Sequence, residues 1–156
     1  MREATEEDVP LILSLIRELA EYEKLSHEVV ATEDGLRDSL FGERRYAEVL
    51  IAEHDGDPAG FALFFHNFST FLGKPGLYLE DLYVKPVFRG AGIGKKLLVY
   101  LASLAKGRGC GRLEWWVLHC NEPAIGFYSS VGAEPMDDWT VYRVSGPALE
   151  DLASGA

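Results

Sequence analysis

Residues 77–105 read LYLEDLYV, then KPVF, then RGAGIG, then KKLLVYLASLA. The first eight residues are mainly apolar, β-branched or aromatic, as in a strand. The last segment, counted from the loop's own Ile93, places Ile93, Leu97, Leu98, Leu101, Leu104 and Ala105 on one side of a helix. Between them lies a loop with three glycines led by Arg89. A strand that turns through such a loop straight into an amphipathic helix commits the chain to a β-α crossover, which excludes an all-α or all-β fold.

The flanking segments agree. Val9, Ile12, Leu13, Ile16, Leu19 and Ala20 recur at helical spacing, so a helix is expected from about Glu6 to Glu23. Thr5 or Asp8 can cap it; Asp8 would leave Pro10 in the tolerant first turn. A shorter helix should follow Thr32 and stop near Gly42. Two β-rich runs flank Asp55-Gly56, the mark of a tight hairpin. After a Gly- and Pro-containing loop (Gly73 to Gly76) comes the LYLEDLYV strand. Beyond the glycine-loop helix, RLEWWVL reads as a strand and Asn121-Glu122-Pro123 starts a short helix that ends before Gly132. A final strand is expected at about Trp139 to Val144, then a terminal polar stretch with a helical turn. The order α, α, β, β, β, α, β, α, β predicts one α/β domain over residues 1–156, its sheet covered by helices on both sides.

The net charge of −10 argues against a general nucleic-acid binder and suits a cationic small molecule. Its distribution says more. Residues 85–96 carry Lys85, Arg89, Lys95 and Lys96 and no acid, which leaves −14 on the rest of the chain. Such a basic island asks for an anion. Glycines let a phosphate approach the backbone, and a helix N-terminus offers unpaired N–H groups. Cations in a helix's first turn are disfavoured by the dipole unless an anion sits nearby. A simple tight turn remains the alternative. A dinucleotide site would place the glycines after the first strand of a parallel unit, and a Walker loop would follow Gly94-Lys95 with Ser or Thr rather than Lys96. Cys110 and Cys120 match no metal or redox spacing and read as buried or half-buried thiols, and no metal is expected. The N-terminus lacks a signal-peptide pattern and no run suits a membrane span, so the expected location is the cytoplasm.

LYLEDLYVKPVFRGAGIGKKLL resembles the acetyl-CoA-binding core of the GNAT superfamily of N-acetyltransferases, and NEPAIGFYSSVGA resembles its Asn-to-Tyr segment. IRELAEYEKLSHEV, LFGE, YLEDLYV and NEPAIGFY together resemble the spermidine/spermine (diamine) acetyltransferase group and its thialysine-acetylating branch, in order from about Arg2 to Val144. The resemblance implies a mixed central sheet splayed by a β-bulge in the YLEDLYV strand. It also implies acetyl-CoA as cofactor. Pantetheine would lie in the opening near Leu82, Tyr83 and Val84, and the pyrophosphate on Arg89, Gly90, Ala91, Gly92, Ile93, Gly94 and Lys95, with Asn121 approaching the cofactor. A homodimer is implied as well. Little of the family's first strand can precede the first helix.

Acetyl transfer to an amine makes three demands. An alkylammonium has a pKa near 10.4, so about one in a thousand molecules or fewer is neutral at pH 7 and a base is needed. The developing oxyanion needs donors, and the departing thiolate a proton. Glu80 is the candidate base, acting through water, or else a substrate contact. Strict alternation puts it on one strand face with Tyr78, Leu82 and Val84, opposite Leu79, Asp81 and Tyr83. Asp81 reads as structural. Tyr128 matches the position of the superfamily's catalytic tyrosine and is the candidate acid. The resemblance carries Tyr22 and Glu23 over as substrate contacts, and Asp138 from an acid preceding a tryptophan, though this Asp137-Asp138-Trp139 segment is shorter. His27 and His119 read as surface or packing residues. The expected activity is N-acetylation of a diamine, polyamine or thialysine-like amine by direct attack. The alternatives are a protein or peptide N-acetyltransferase and a non-catalytic acyl-CoA-binding module.

Overall fold

The computed structural model describes residues 1–155. The chain divides into two compact units, Met1–Trp116 and a second beginning at Val117. In the first unit, strands β1 (Arg2–Glu3), β2 (Glu48–His54), β3 (Asp57–Ser69), β4 (Lys74–Val84) and β5 (Leu113–Trp115) form one sheet in the order β1-β2-β3-β4-β5. The first three pairings are antiparallel and β4–β5 is parallel. Helices α1 (Val9–Tyr22), α2 (Glu33–Phe41) and α3 (Ile93–Gly107) accompany it.

The first strand is only two residues long, yet it is fixed. Arg2 reaches both carboxylate oxygens of Asp8 at 2.7 and 2.8 Å, and this charged pairing pulls the Asp8 carboxyl down to about 2. Asp8 also accepts from the Thr5 backbone N–H and stands at the N-cap position of α1, with Pro10 in its first turn. The expected single helix from Glu6 is therefore a 3-10 turn over Glu6–Asp8 followed by α1. The Thr32 hydroxyl accepts from Gly35 N–H and opens α2, and the β2–β3 turn places Asp55 and Gly56 at φ 51° and 86°, as a two-residue hairpin requires.

Helices cover both faces of the sheet. On one face Ile12, Leu15 and Leu19 of α1 and Leu40 of α2 form a buried cluster with Val49, Ile51, Phe61 and Tyr83. The alternating residues Leu50, Ala62 and Phe64 point to the other face, where α3 buries Ile93, Leu97, Leu98 and Leu101.

Three expectations need correcting. β4 begins at Lys74, so the Gly73–Gly76 stretch mostly belongs to the strand. The RLEWWVL strand shrinks to Leu113–Trp115. Residues 139–144 form no strand: these residues are exposed and have no partner strand among the described residues, and an isolated strand leaves its backbone groups to water. The second unit instead contains α4 (Glu122–Ser130) and α5 (Pro147–Ser154) and buries none of its described residues. Cys110 is half-buried but Cys120 is exposed. No described helix is long and apolar enough to cross a membrane.

Candidate active site

The site is built around an irregularity in β4. Leu63 pairs with Asp81 and Phe64 with Leu79, so Glu80 is an extra residue opposite no partner, a β-bulge. The inserted residue resets the alternation. Asp81 and Tyr83 pair with Leu63 and Phe61 and share the α1 face with Tyr78, which pairs with Phe65. Strict alternation had grouped Tyr78 with Leu82 and Val84; one extra residue moves it to the opposite set. The parallel pairing with β5 spans Leu77 to Leu79, so the sheet opens on that side from the bulge onward.

At the opening, Glu80 is exposed while Asp81 is half-buried. Burial, then the like charges of Glu80 and Glu23, push the Asp81 carboxyl up to about 7. Glu23 is itself half-buried and raised by desolvation. The end of α1 brings it there. Lys24 turns into the left-handed region at φ 60°, and the Leu25 N–H closes back onto the Ala20 carbonyl at 2.8 Å. The α1 terminus is thus no freely solvated end: it sets a third carboxylate near the bulge. The charges that bear on Asp81, those of Glu80 and Glu23, are both of its own sign. The sequence signal for it was the second acid in a strand whose first acid occupies a bulge.

The glycine loop follows β4 through a 3-10 turn at Pro86–Phe88. Gly90 and Gly92 adopt φ 85° and 76°, and a Cβ on either would meet nothing within 4 Å, so the loop faces open space. Gly92 precedes α3, whose first-turn N–H groups have no intrahelical partners. Gly94 lies against the Val84 side chain, placing this helix end beside the end of β4. Arg89, Lys95 and Lys96 supply positive charge, and Ala91 and Ile93 complete the loop. Open backbone, free N–H groups and three cations fit a diphosphate.

The first unit therefore brings together Tyr22, Glu23, Glu80, Asp81, Leu82, Tyr83 and Val84 with the loop from Arg89 to Lys95. Asn121, Tyr128 and Asp138 belong to the second unit. Asn121 caps α4 by accepting from the Ala124 N–H, and Tyr128 is half-buried on that helix, its ring centroid 5.6 Å from that of Phe127. Asp138 is exposed in a turn closed by the Trp139 N–H on the Met136 carbonyl. His27 and His119 are exposed. A small cavity lined by Leu40, Phe41, Leu50 and Leu104 contains none of the candidate groups.

Comparison with known proteins places this geometry. The chain is 42% identical over 98% of its length to a thialysine N-epsilon-acetyltransferase of Bos taurus, covering 96% of that protein. It is 34% identical over 97% of its length to an L-ornithine N5-acetyltransferase of Arabidopsis thaliana, covering 86% of it. An integron cassette protein from the mobile metagenome of V. cholerae superposes with a TM-score of 0.82 at 28% identity, covering 97% of this chain and 95% of that one. Residues 12–133 match the model of the acetyltransferase (GNAT) family. With the bulged strand, the open glycine loop and a family match over most of its length, the chain belongs to the GNAT family of N-acetyltransferases.

Proposed function

We propose that this enzyme transfers the acetyl group of acetyl-CoA to a primary amine of a small cationic substrate: a diamine, a polyamine or a thialysine-like compound. The observation that carries this reading is the carboxylate group at the bulge. Glu23, Glu80 and Asp81 present negative charge where the sheet opens, beside a basic loop of opposite preference. One end of the site suits an ammonium and the other a diphosphate. The relatives named for thialysine and ornithine, both short chains bearing amines, support the same class.

When bound, acetyl-CoA supplies the acetyl thioester. The loop from Arg89 to Lys95 would hold its diphosphate, and the backbone near Leu82, Tyr83 and Val84 its pantetheine. Asn121 would be a further residue for the cofactor. Asp81, held near 7, is matched to take a proton from the attacking ammonium at neutral pH. Glu80, exposed at the bulge, contacts the ammonium and passes its proton through water. Tyr22, Glu23 and Asp138 contact the rest of the amine chain. Tyr128 would supply the proton for the departing thiolate. The amine attacks directly, without a covalent enzyme intermediate. Residues 1–156 act as one acetyltransferase domain, a reading supported by the family match running across Trp116 and Val117. We also assign the chain to the cytoplasm as a homodimer; the net charge of −10 runs against a nucleic-acid partner.

The test is thiol release from acetyl-CoA by purified protein offered diamines, polyamines, thialysine and lysine-containing peptides. The reading requires turnover with the small amines, which should also outcompete the peptides. Preference for peptides would make the chain a protein acetyltransferase, and coenzyme A binding without turnover would make it a binding module.

A further inference from the structure

Toward the start of β4, on the sheet face that carries Asp81, lies a polar cluster that the chemistry above does not use. Glu114 of β5 pairs with Tyr78 of β4, and Asn67 of β3 pairs with Gly76 of β4. Arg112, two residues before Glu114, shares its face. Side chains from β3 and β5 meet across β4 because Gly76 leaves the space between them open. A Cβ there would run into Asn67 Oδ1 and stand 3.2 Å from Arg112 Nε. Asn67 Nδ2 donates to Glu114 Oε1 at 2.6 Å, and Arg112 Nε lies 3.4 Å from the same oxygen.

This cluster is incompletely satisfied. Among the described residues, two buried side-chain atoms lack a hydrogen-bond partner, Asn67 Oδ1 and Arg112 Nε, and both are here. The 3.4 Å between Arg112 and Glu114 exceeds the about 2.7–2.9 Å of a well-formed charged hydrogen bond. Glu114 spends one oxygen on both neighbours, and the guanidinium's other contact is a long one, NH2 to the Phe68 carbonyl at 3.4 Å. Both charged side chains stay accessible, Arg112 at 37% and Glu114 at 38%. A cation and an anion, side by side and loosely matched to each other, complement a group that itself carries both charges.

The distance from the reacting centre fits such a group. Asp81 pairs with Leu63 and Tyr78 with Phe65, so Glu114 lies two residues along the sheet and one strand across from Asp81. That is about 8 Å at the backbone. An extended aliphatic chain advances about 1.3 Å per bond, so about six bonds cover it. Between the two acids lies Tyr78, its ring centroid 6.0 Å from that of Trp116, an apolar bed for methylenes. We propose that Arg112 and Glu114 form the subsite for the far end of the acetyl acceptor, and that this end is an α-amino acid head group. Glu114 takes its ammonium and Arg112 its carboxylate. The preferred substrate is then an amino acid of about lysine's length whose side chain ends in a primary amine. A diamine of that length leaves Arg112 unmatched, and a longer polyamine brings another ammonium against it. This rests on the acetyl-transfer reading above and narrows it. Both residues act away from the reacting atoms, so they set specificity rather than the rate of the chemical step.

Steady-state thiol release with lysine and with cadaverine tests this, since the two share chain and amines and differ by one carboxylate. The parent chain should favour lysine in kcat/KM by about ten-fold or more, the size of one charge-assisted hydrogen bond. Arg112→Gln should raise KM for lysine by about 10- to 100-fold while KM for cadaverine does not rise and kcat holds for both. Arg112→Lys, which keeps the charge without the fork, should fall between. Glu114→Gln should raise KM for both substrates, because both carry the second ammonium. Turnover of cadaverine by each Arg112 variant checks that it is folded. A parent chain that prefers cadaverine, or Arg112 variants that shift both substrates equally or neither, overturns the subsite and leaves the acetyl-transfer reading standing. A parent chain that turns over no small amine overturns that reading with it.

Discussion

β4 changes character at its bulge. Leu77, Tyr78 and Leu79 are paired on both sides, to β3 and to β5, and expose 0%, 9% and 2% of their surface. From Asp81 to Val84 the strand keeps β3 but loses β5; Glu80 and Asp81 are acidic, and of these residues only Tyr83 is buried. One inserted residue separates the halves. The first half shows what a central strand is for when stability decides: apolar side chains and a complete ladder. The second half gives up one ladder and tolerates a half-buried carboxylate, which are costs to stability that a purely structural strand would not carry. A site placed at this junction inherits rigidity from one half and accessibility from the other.

Substitutions in each half should separate these roles. The largest effect is expected from Asp81→Asn, which removes the proposed base and should lower kcat by about 10²–10⁴-fold in steady-state assays. The same change should stabilise the fold. Asp81 titrates near 7 in the folded chain and near about 3.9 when unfolded. Between those values the native state holds a proton that the unfolded chain has released, so the parent chain loses stability as pH rises from about 4 to about 7. The variant escapes this loss, and its advantage in denaturant melts should grow across that window to at most about 4 kcal/mol. Tyr128→Phe should approach the same loss of turnover, about 10²–10³-fold, while coenzyme A binding and stability stay close to those of the parent. That result would show that the second unit contributes chemistry without contributing buried core.

Leu79→Ala, only two residues from Asp81, should behave in the opposite way. It should destabilise the fold by about 2–5 kcal/mol in urea unfolding, yet leave the pH dependence of turnover in place. Equal behaviour of the two variants would erase the distinction between the halves. The smallest effect is expected from Gly92→Ala. A side chain at φ 76° costs about 1–2 kcal/mol of strain although the surrounding space is open. That should appear as a modest drop in melting temperature and weaker coenzyme A binding.

What could be read from the residues follows the same division. Local chemistry was legible: the Thr32 cap, the Asp55-Gly56 turn, the Asn121 cap and the passage from β4 through the glycine loop into α3 all depend on neighbours in sequence. Non-local pairing was not. The resemblance implied a bulge in the YLEDLYV strand, but only the register with Phe64 and Leu63 places it at Glu80 and so changes which side chains share a face with Asp81. The charge environment of Asp81 depends on Glu23, 58 positions away in the chain, and burial of that kind leaves no periodic trace. The position of the Arg89 guanidinium over the Tyr22 ring is non-local in the same way. Residues 139–144 carry strand-like side chains, but a strand also needs a neighbour, and their sequence cannot name one.

The account turns on a carboxylate at the bulge, poised to take a proton from a small cationic amine. Its most direct test is the pH profile of thiol release from acetyl-CoA with a short diamine, followed from about pH 5.5 to about pH 9 in the parent chain and in Asp81→Asn. The parent chain should show an acidic limb centred near 7 that vanishes with the substitution, leaving low activity without that limb. A parent chain that releases no thiol with any small amine, or a variant that keeps both the rate and the limb, would contradict it.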